Sequence, residues 1–227
     1  MRPARTVESE GVHGMAGGMA GGIAGMRVLG VDPGLSACGL AVVDAARPTA
    51  ALVRAGVVRT RPETPTPNRL AELYAEVTEV LTMFSPQVVA VERVFVNANR
   101  TTGMGVGQAA GVVLLAAAQA GRPVVEYTPS QVKAAVTGQG DADKNQVGFM
   151  VRALLGLPAP PQPADVADAL ALALCHLRLG APSASAAGAG AGAPAMSQRL
   201  AAALAEAGPG AQVTRPAPPS VADGDRP

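Results

Sequence analysis

Four carboxylates in this sequence occupy positions where a folded core would bring them together. Asp32 ends an apolar run that starts at residue 26, and Glu92 ends a second apolar run. Asp165 and Asp168 lie three residues apart in an alanine- and leucine-rich segment, so a helix would present both on one face. Burying a carboxylate is costly without a partner, and Mg²⁺ and Mn²⁺ prefer oxygen ligands. The pattern predicts a pocket for two such ions, about 3.5–4 Å apart, which is the usual arrangement for hydrolysing a phosphodiester.

Each of these carboxylates also has an ordinary explanation. Asp32 precedes a Pro-Gly turn, where Asp commonly caps backbone amides, and a strand-end Glu92 could simply be solvated. Asp165 could complement the dipole at a helix N-terminus. Asp168 is harder to explain in this way, because it lies one turn inside a strongly apolar segment.

The elements that position these residues follow from the spacing of apolar residues. Apolar runs predict strands over residues 28–32, 38–44, 52–59, 87–92 and 124–127. A 3.6-residue apolar stripe from Leu70 to Phe84 predicts a helix, with Asn68 as its N-cap. Further helices are predicted over residues 104–120, 130–136, 144–155 and 164–179. Three strands with short connections, followed by alternating helices and strands, predict an α/β fold with a mixed five-stranded sheet flanked by helices.

Composition predicts one folded domain over residues 26–180. The glycine-rich residues 1–25 and the Ala/Gly/Pro-rich residues 181–227 have too little apolar surface to offset their ordering entropy, and we expect both to be disordered. Neither a signal peptide nor a membrane-spanning stretch is apparent. Cys38 and Cys175 lack metal-ligand spacing, so we expect reduced core thiols in a cytoplasmic protein. The net charge of +1 is not by itself typical of a nucleic-acid-binding protein.

Other polar residues have both structural and functional interpretations. Lys133 and Lys144 are the only lysines in the chain, and they either lie on a solvated helix face or contact phosphate. Asp141 and Asp143 are interpreted as helix-start charges rather than metal ligands. His176 has no partner in the sequence, and we expect it to be structural.

One motif resembles a dinucleotide site. Residues 105–110 read Gly-Val-Gly-Gln-Ala-Ala, which fits the glycine pattern, but about a dozen residues separate them from the preceding strand. A dinucleotide site needs the motif directly after a strand. We therefore expect these glycines to permit close helix–helix approach, at a dimer interface for example.

The acidic residues fall on the first strand, the fourth strand and the last helix. This order resembles that of the ribonuclease H-like nucleases. Five sequence motifs make the resemblance specific to the RuvC family of bacterial Holliday-junction endonucleases. They are residues 30–34 (GVDPG), 91–95 (VERVF), 107–111 (GQAAG), 126–133 (EYTPSQVK) and 165–171 (DVADALA). The third motif departs from the family pattern, because Ala110 replaces an arginine, and this could weaken a DNA or dimer contact.

The resemblance implies roles for particular residues. Asp32, Glu92, Asp165 and Asp168 would hold two Mg²⁺ or Mn²⁺ ions. Phe95, Arg100, Lys133 and Lys144 would contact DNA, with Phe95 wedged against bases at the crossover. The alternative for Phe95 is a core aromatic at a strand end. Stacking of a base on such a ring contributes about 1–3 kcal/mol.

The resemblance also implies an activity and partners. A homodimer would cut two strands of a four-way DNA junction symmetrically in recombination and repair, and the RuvA–RuvB branch-migration complex would be its partner. A YqgF-like ribonuclease H-fold nuclease acting on RNA is the nearest alternative. A sugar-kinase or actin-like ATPase would need a second domain, and a junction-binding module without catalysis is a third alternative.

Overall fold

The sheet of this protein has five strands in the order β3-β2-β1-β4-β5. The computed structural model describes residues 25–46, 50–93 and 100–180. The strands are β1 (Arg27–Asp32), β2 (Ala37–Asp44), β3 (Ala51–Arg59), β4 (Val88–Glu92) and β5 (Val124–Tyr127). The first three strands are antiparallel neighbours, as expected from their short connections, whereas β4 and β5 run parallel to β1. The prediction of a mixed five-stranded sheet is confirmed.

The register of the sheet sets the positions of the strand-end carboxylates. In the parallel pair of β1 and β4, Val31 pairs with Val91. The next residues, Asp32 and Glu92, end their strands and therefore lie at the same edge of the sheet. On the other side of β1, Asp32 pairs with Gly39 near the start of β2. The carboxyl ends of two central strands therefore meet at one edge, where α/β proteins commonly bind ligands.

Helices cover both faces of the sheet. They are α1 (Thr66–Phe84), α2 (Arg100–Gln119), α3 (Pro129–Thr137), α4 (Lys144–Leu155) and α5 (Ala164–Leu179). Alternate residues of the strands face opposite sides, so the sheet contributes to two separate hydrophobic cores. One core packs the sheet against α1 and α2, and the other packs it against α3, α4 and α5. Helix α5 is the most deeply buried helix. Ten of its residues are buried, namely Val166 and the nine residues from Ala169 to Leu177.

Two helix starts differ from the sequence-based predictions. Helix α1 begins at Thr66 with Pro65 at the N-cap position, and Asn68 lies inside the first turn, where its amide bonds the carbonyl oxygen of Pro65 at 3.0 Å. The prediction of Asn68 as N-cap is wrong, because proline is tolerated among the first helical residues, whose amides lack intrahelical partners. Helix α2 begins at Arg100, four residues before the predicted start at Met104.

Helices α3 and α4 begin with reciprocal caps that fix the path of the chain near the sheet edge. Thr128 and Gln131 form a capping box at α3, and Asp143 and Gln146 form one at α4. The expectation that Asp143 is a helix-start charge is confirmed, whereas Asp141 lies in the preceding turn and is exposed. These caps hold the first turn of each helix, and α4 starts with Lys144.

The chain divides into two units, and all of the described residues belong to the first of them. The boundaries predicted at residues 26 and 180 stay predictions. Within the described ranges, no helix is long and apolar enough to cross a membrane.

Candidate active site

The two strand carboxylates lie in a half-buried, strongly negative environment. The pKa of Asp32 is raised to about 7, chiefly by burial and then by the negative charges of Asp168, Glu92 and Asp165, in that order of effect. Burial also raises the pKa of Glu92, and the charge of Asp168 adds to this effect. Each of the four carboxylates therefore takes part in the same local repulsion, although they come from three separate elements.

Two glycines allow α5 to bring its carboxylates to the sheet edge. A methyl group built on Gly39 would lie 2.0 Å from the carbonyl oxygen of Asp165, and one on Gly30 would lie 2.1 Å from that of Ala169. Because these positions lack side chains, the backbone of α5 rests directly on β1 and β2. Gly39 is also the register partner of Asp32, so the first turn of α5 lies beside the end of β1.

Positive side chains approach the α5 carboxylates from two sides. Lys144 donates from Nζ to Oδ2 of Asp168 at 3.3 Å, and Nη2 of Arg59 lies 3.9 Å from Oδ2 of Asp165. The pKa of Lys144 is raised, chiefly by the charge of Asp168. Lys133 belongs to the same group, because its charge and that of Lys144 lower the pKa of Glu92 against the larger effect of burial.

The carboxylate set fits a divalent cation in its chemistry. All four groups offer hard oxygen ligands, and the raised pKa of Asp32 reflects excess negative charge that a dication would relieve. Among the described residues, no three Asp, Glu, His or Cys side chains are arranged to hold an ion as they stand. The Asp168 and Asp165 side chains instead face Lys144 and Arg59.

A buried arginine fixes the turn that follows Asp32. Arg69 of α1 donates from Nε to Thr60 Oγ1 and from Nη2 to Ser36 Oγ, both at 2.8 Å. Thr60 in turn donates to the carbonyl oxygen of Leu35 at 2.6 Å. Arg69 is only 9% exposed, so these bonds link α1, the end of β3 and the β1–β2 turn inside the protein. The network supports the turn that directly follows Asp32.

The structure does not describe every residue predicted to contact DNA. Lys133 and Lys144 lie beside the carboxylates, as described above. Phe95 lies outside the described residues, so its role stays a prediction. Arg100 is the first residue of α2 rather than part of a loop, and its side chain is not among those described.

Sequence reasoning missed four residues that shape the site. Their identities are Gly30, Gly39, Arg59 and Arg69. A Gly in a strand interior signals a close backbone approach, and this cue was available for the first two. The roles of the two arginines depend on contacts with residues 9, 33 and 106 positions away, and no local pattern encodes them.

The remaining candidate groups are structural. His176 is 1% exposed, and its Nδ1 is hydrogen-bonded to the Tyr127 hydroxyl at 2.8 Å, so the expectation that it has no partner is wrong. Burial lowers the pKa of His176 and raises that of Tyr127 to about 12. Cys38 and Cys175 are buried free thiols, as predicted.

Comparison with known proteins identifies the family of the chain. A family model described as "Crossover junction endodeoxyribonuclease RuvC" matches residues 28–176. A protein with that description from Parafrankia sp. (strain EAN1pec) is 56% identical over 146 residues, which cover 64% of this chain and 82% of that protein. Its counterpart from Pseudarthrobacter chlorophenolicus is 53% identical over 146 residues, which cover 64% of this chain and 76% of that protein.

Solved structures agree with the sequence relationships. The chain superimposes on T. thermophilus RuvC, solved in complex with a Holliday junction substrate, with a TM-score of 0.65 and 44% identity over 68% of this chain and 94% of that one. The yeast mitochondrial Holliday junction resolvase has a TM-score of 0.52 at 15% identity over 70% of this chain and 82% of that one, which shows a shared fold. The ribonuclease H-like fold predicted from the sequence is confirmed. From its matched core and its overall similarity, the chain belongs to the RuvC family of crossover junction endodeoxyribonucleases.

Proposed function

We propose that this protein resolves four-way DNA junctions by metal-dependent hydrolysis of phosphodiester bonds. The observation that carries the proposal is that four carboxylates converge at the sheet edge of a RuvC-family core. The raised pKa of Asp32 is evidence of this convergence, because the other three carboxylates contribute to it. The relative solved with a Holliday junction substrate supports the choice of DNA substrate. The match to RuvC does not favour the YqgF-like alternative.

Asp32, Glu92, Asp165 and Asp168 would hold the metal ions. Bound divalent cations supply a water that is acidic enough to attack at neutral pH, and they also stabilise charge on the phosphate and the leaving oxygen. The protein's own contribution is to place its carboxylates by way of β1, β4 and the glycine-supported helix α5. We propose two Mg²⁺ ions, with Mn²⁺ as a substitute, and products that carry a 5′-phosphate and a 3′-hydroxyl.

Lys133 and Lys144 would bind the phosphate backbone beside the carboxylates. Both are on the α3–α4 side of the site, and Lys144 is 78% exposed although it bonds Asp168. An exposed ammonium held by a single 3.3 Å contact remains available to a phosphate. Metal ions at the carboxylates would add positive charge to the same surface and so compensate for the small net charge of the chain.

The outward face of α2 supports a homodimer. Residues at a helical spacing on this face are exposed, and all except Gln108 and Gln119 are apolar or glycine: Met104, Gly107, Gly111, Leu114, Leu115 and Ala118. A methyl group on Gly107 or Gly111 would have no described atom within 4 Å. A helix that is apolar on both faces is normally buried on both. We propose that α2 of a second copy covers this face, which gives two sites related by the two-fold symmetry that a junction shares.

A cleavage assay tests the proposal. The protein should cut a labelled four-way junction symmetrically in Mg²⁺ and should leave it intact in excess EDTA. It should act far more slowly on linear duplex of the same sequence, and a structured RNA substrate tests the YqgF-like alternative. Cleavage of RNA in preference to the junction, or equal cleavage of junction and duplex, would contradict the proposed function. Addition of the RuvA–RuvB complex to the same assay tests that proposed partnership, as a change in the rate or position of cutting.

A further inference from the structure

Arg59 is placed differently from the other cations near the site. It ends β3, whereas Lys133 and Lys144 belong to α3 and α4, and its guanidinium faces Asp165 of α5. The distance from Nη2 to Oδ2 is 3.9 Å, which is too long for a hydrogen bond. The Arg59 side chain is 60% exposed and that of Asp165 is 31% exposed, so solvent screens the pair. A contact of this kind is weak and easily exchanged.

The pair is not needed to hold α5 in place. The backbone of Asp165 rests against Gly39, and ten residues of α5 are buried in the core. A solvent-screened contact at the first turn adds little to that packing. The Arg59–Asp165 contact can therefore be exchanged without moving the helix.

Arg59 has space to move away from Asp165. It lines an open groove of about 1100 Å³ that runs along the outer edge of β3 and reaches Val166, the residue after Asp165. A metal ion bonded directly to Asp165 would carry two charges at about 2.1 Å, against one charge at 3.9 Å for Arg59. The ratio of charge to distance favours the metal by about fourfold, so the metal should displace the guanidinium.

From these contacts we infer that Arg59 is a displaceable counter-ion, which pairs with Asp165 in the metal-free protein and with a DNA phosphate once metal occupies the site. The inference rests on the proposed function, because it takes the bound polyanion to be junction DNA. A planar guanidinium with several donors is well suited to both partners, since it binds carboxylate and phosphate oxygens alike. The exchange would couple metal loading to DNA binding on the β3 side of the site.

The first part of the test uses no DNA. We would measure metal binding as the Mg²⁺ or Mn²⁺ concentration that gives half of the full shift in melting temperature. The proteins compared are the wild type, Arg59→Gln, Arg59→Lys and Arg61→Gln. Arg61 is the matched control, because it is an exposed arginine two residues away that lines the same groove. Arg59→Gln should lower the midpoint about three- to tenfold, since the metal no longer competes with a guanidinium for Asp165. Arg59→Lys and Arg61→Gln should stay within about twofold of the wild type.

Two results of this first part would overturn the competition. One is an equal shift for Arg59→Gln and Arg61→Gln, which would reflect only the general loss of positive charge. The other is an equal shift for Arg59→Lys and Arg59→Gln, which would indicate lost packing, because Lys retains the charge.

The second part measures junction binding as a function of salt, with cleavage prevented by Glu92→Gln and with Mg²⁺ above the concentration at which the thermal shift shows that this variant is loaded with metal. Adding Arg59→Gln to that protein should reduce the slope of log affinity against log salt by about 0.9, the value for one phosphate contact. An unchanged slope would show that Arg59 does not transfer to DNA. If the Glu92→Gln protein has no preference for four-way junctions over duplex, the proposed function fails, whereas the DNA-free measurement still decides whether Arg59 competes with metal.

Discussion

Gly39 of β2 and Asp165 of α5 are in backbone contact, at a distance that excludes any side chain between them. A methyl group on Gly39 would lie 2.0 Å from the Asp165 carbonyl oxygen and 2.7 Å from the carbonyl carbon. Since Gly39 also pairs with Asp32, this contact sets the distance between a strand carboxylate and a helix carboxylate. The geometry of the proposed active site therefore depends on a residue that has no side chain.

Replacing Gly39 with alanine should displace the first turn of α5. We expect Gly39→Ala to destabilise the protein by about 1–3 kcal/mol, as overpacking of a core does, and to reduce junction cleavage by more than the loss of folded protein explains. Thermal unfolding and cleavage at a temperature where the variant is folded would measure both effects. Gly56→Ala is the matched control, because no described atom lies within 4 Å of the added methyl. Cleavage by the folded Gly39→Ala protein at the wild-type rate would show that the contact does not determine the positions of the carboxylates.

Replacing Asp32 with asparagine should separate stability from activity. Asp32 is half-buried among three other carboxylates that raise its pKa, so its charge opposes folding in the absence of metal. We expect Asp32→Asn to raise the melting temperature of the metal-free protein by at least about 2 °C, while cleavage is abolished and junction affinity is retained. Metal should stabilise the wild-type protein much more than the variant. A lower melting temperature for metal-free Asp32→Asn would contradict the repulsion described here.

Removing the Arg69 guanidinium should loosen the turn after Asp32. Arg69→Met keeps most of the apolar stem but leaves the Ser36 and Thr60 hydroxyls without their buried partner. We expect a loss of about 1–3 kcal/mol in stability and a lower cleavage rate at saturating metal. The exposed Arg61→Gln serves as a control for lost charge. If the Arg69→Met protein is less stable but its folded fraction cuts junctions at the wild-type rate, the network supports the fold and not the orientation of Asp32.

Phe95 should act at the crossover if it is a wedge. It lies three residues after Glu92 in sequence, and an inserted ring can return part of the few kcal/mol that unstacking costs. We expect Phe95→Ala to cut intact junctions far more slowly while binding them almost normally, and a junction with unpaired bases at the crossover should recover much of the rate. Phe149→Ala is the control, because Phe149 is a 57% exposed aromatic on α4. Equal slowing on both junctions would favour the core interpretation of Phe95.

The buried His176 should make stability depend on pH on the acidic side. Burial lowers its pKa in the folded protein, so the unfolded chain binds more protons as the pH falls below the ordinary value of 6.5. Its contribution to stability is complete above that pH and is lost as the pH falls toward the folded-state pKa. We expect the melting temperature of the wild type to fall between pH 7 and pH 5 more steeply than that of His176→Gln. Parallel curves for the two proteins would contradict this assignment.

The sequence was informative where a chemical signal is local. Asp32 and Glu92 end apolar runs, and the helical spacing of Asp165 and Asp168 is visible in the printed chain, so the elements that carry them could be predicted. The supports of the site could not be predicted in this way. Arg69 bonds residues 9 and 33 positions away, and the partner of His176 is 49 positions away, so these pairs exist only after the sheet has formed.

Helix boundaries were less predictable than strand ends for a related reason. The start of α1 at Thr66 and that of α2 at Arg100 precede the apolar stripes that revealed the two helices. First-turn residues are polar or proline because their amides need no intrahelical partner, so they carry no apolar period. Arg59 shows the same limit at the site, since its relation to Asp165 depends on the register of β3 with β2.

Helix α5, the last described element along the chain, supplies two of the four carboxylates and the centre of one core. A growing polypeptide that has emerged only as far as β5 carries Asp32 and Glu92 but has neither the opposing acids nor the helix that orders that face of the sheet. Domains acquire structure as units during synthesis. We therefore expect an incomplete chain to be unable to cut nucleic acid, so that a damaging activity arises only when the domain is whole.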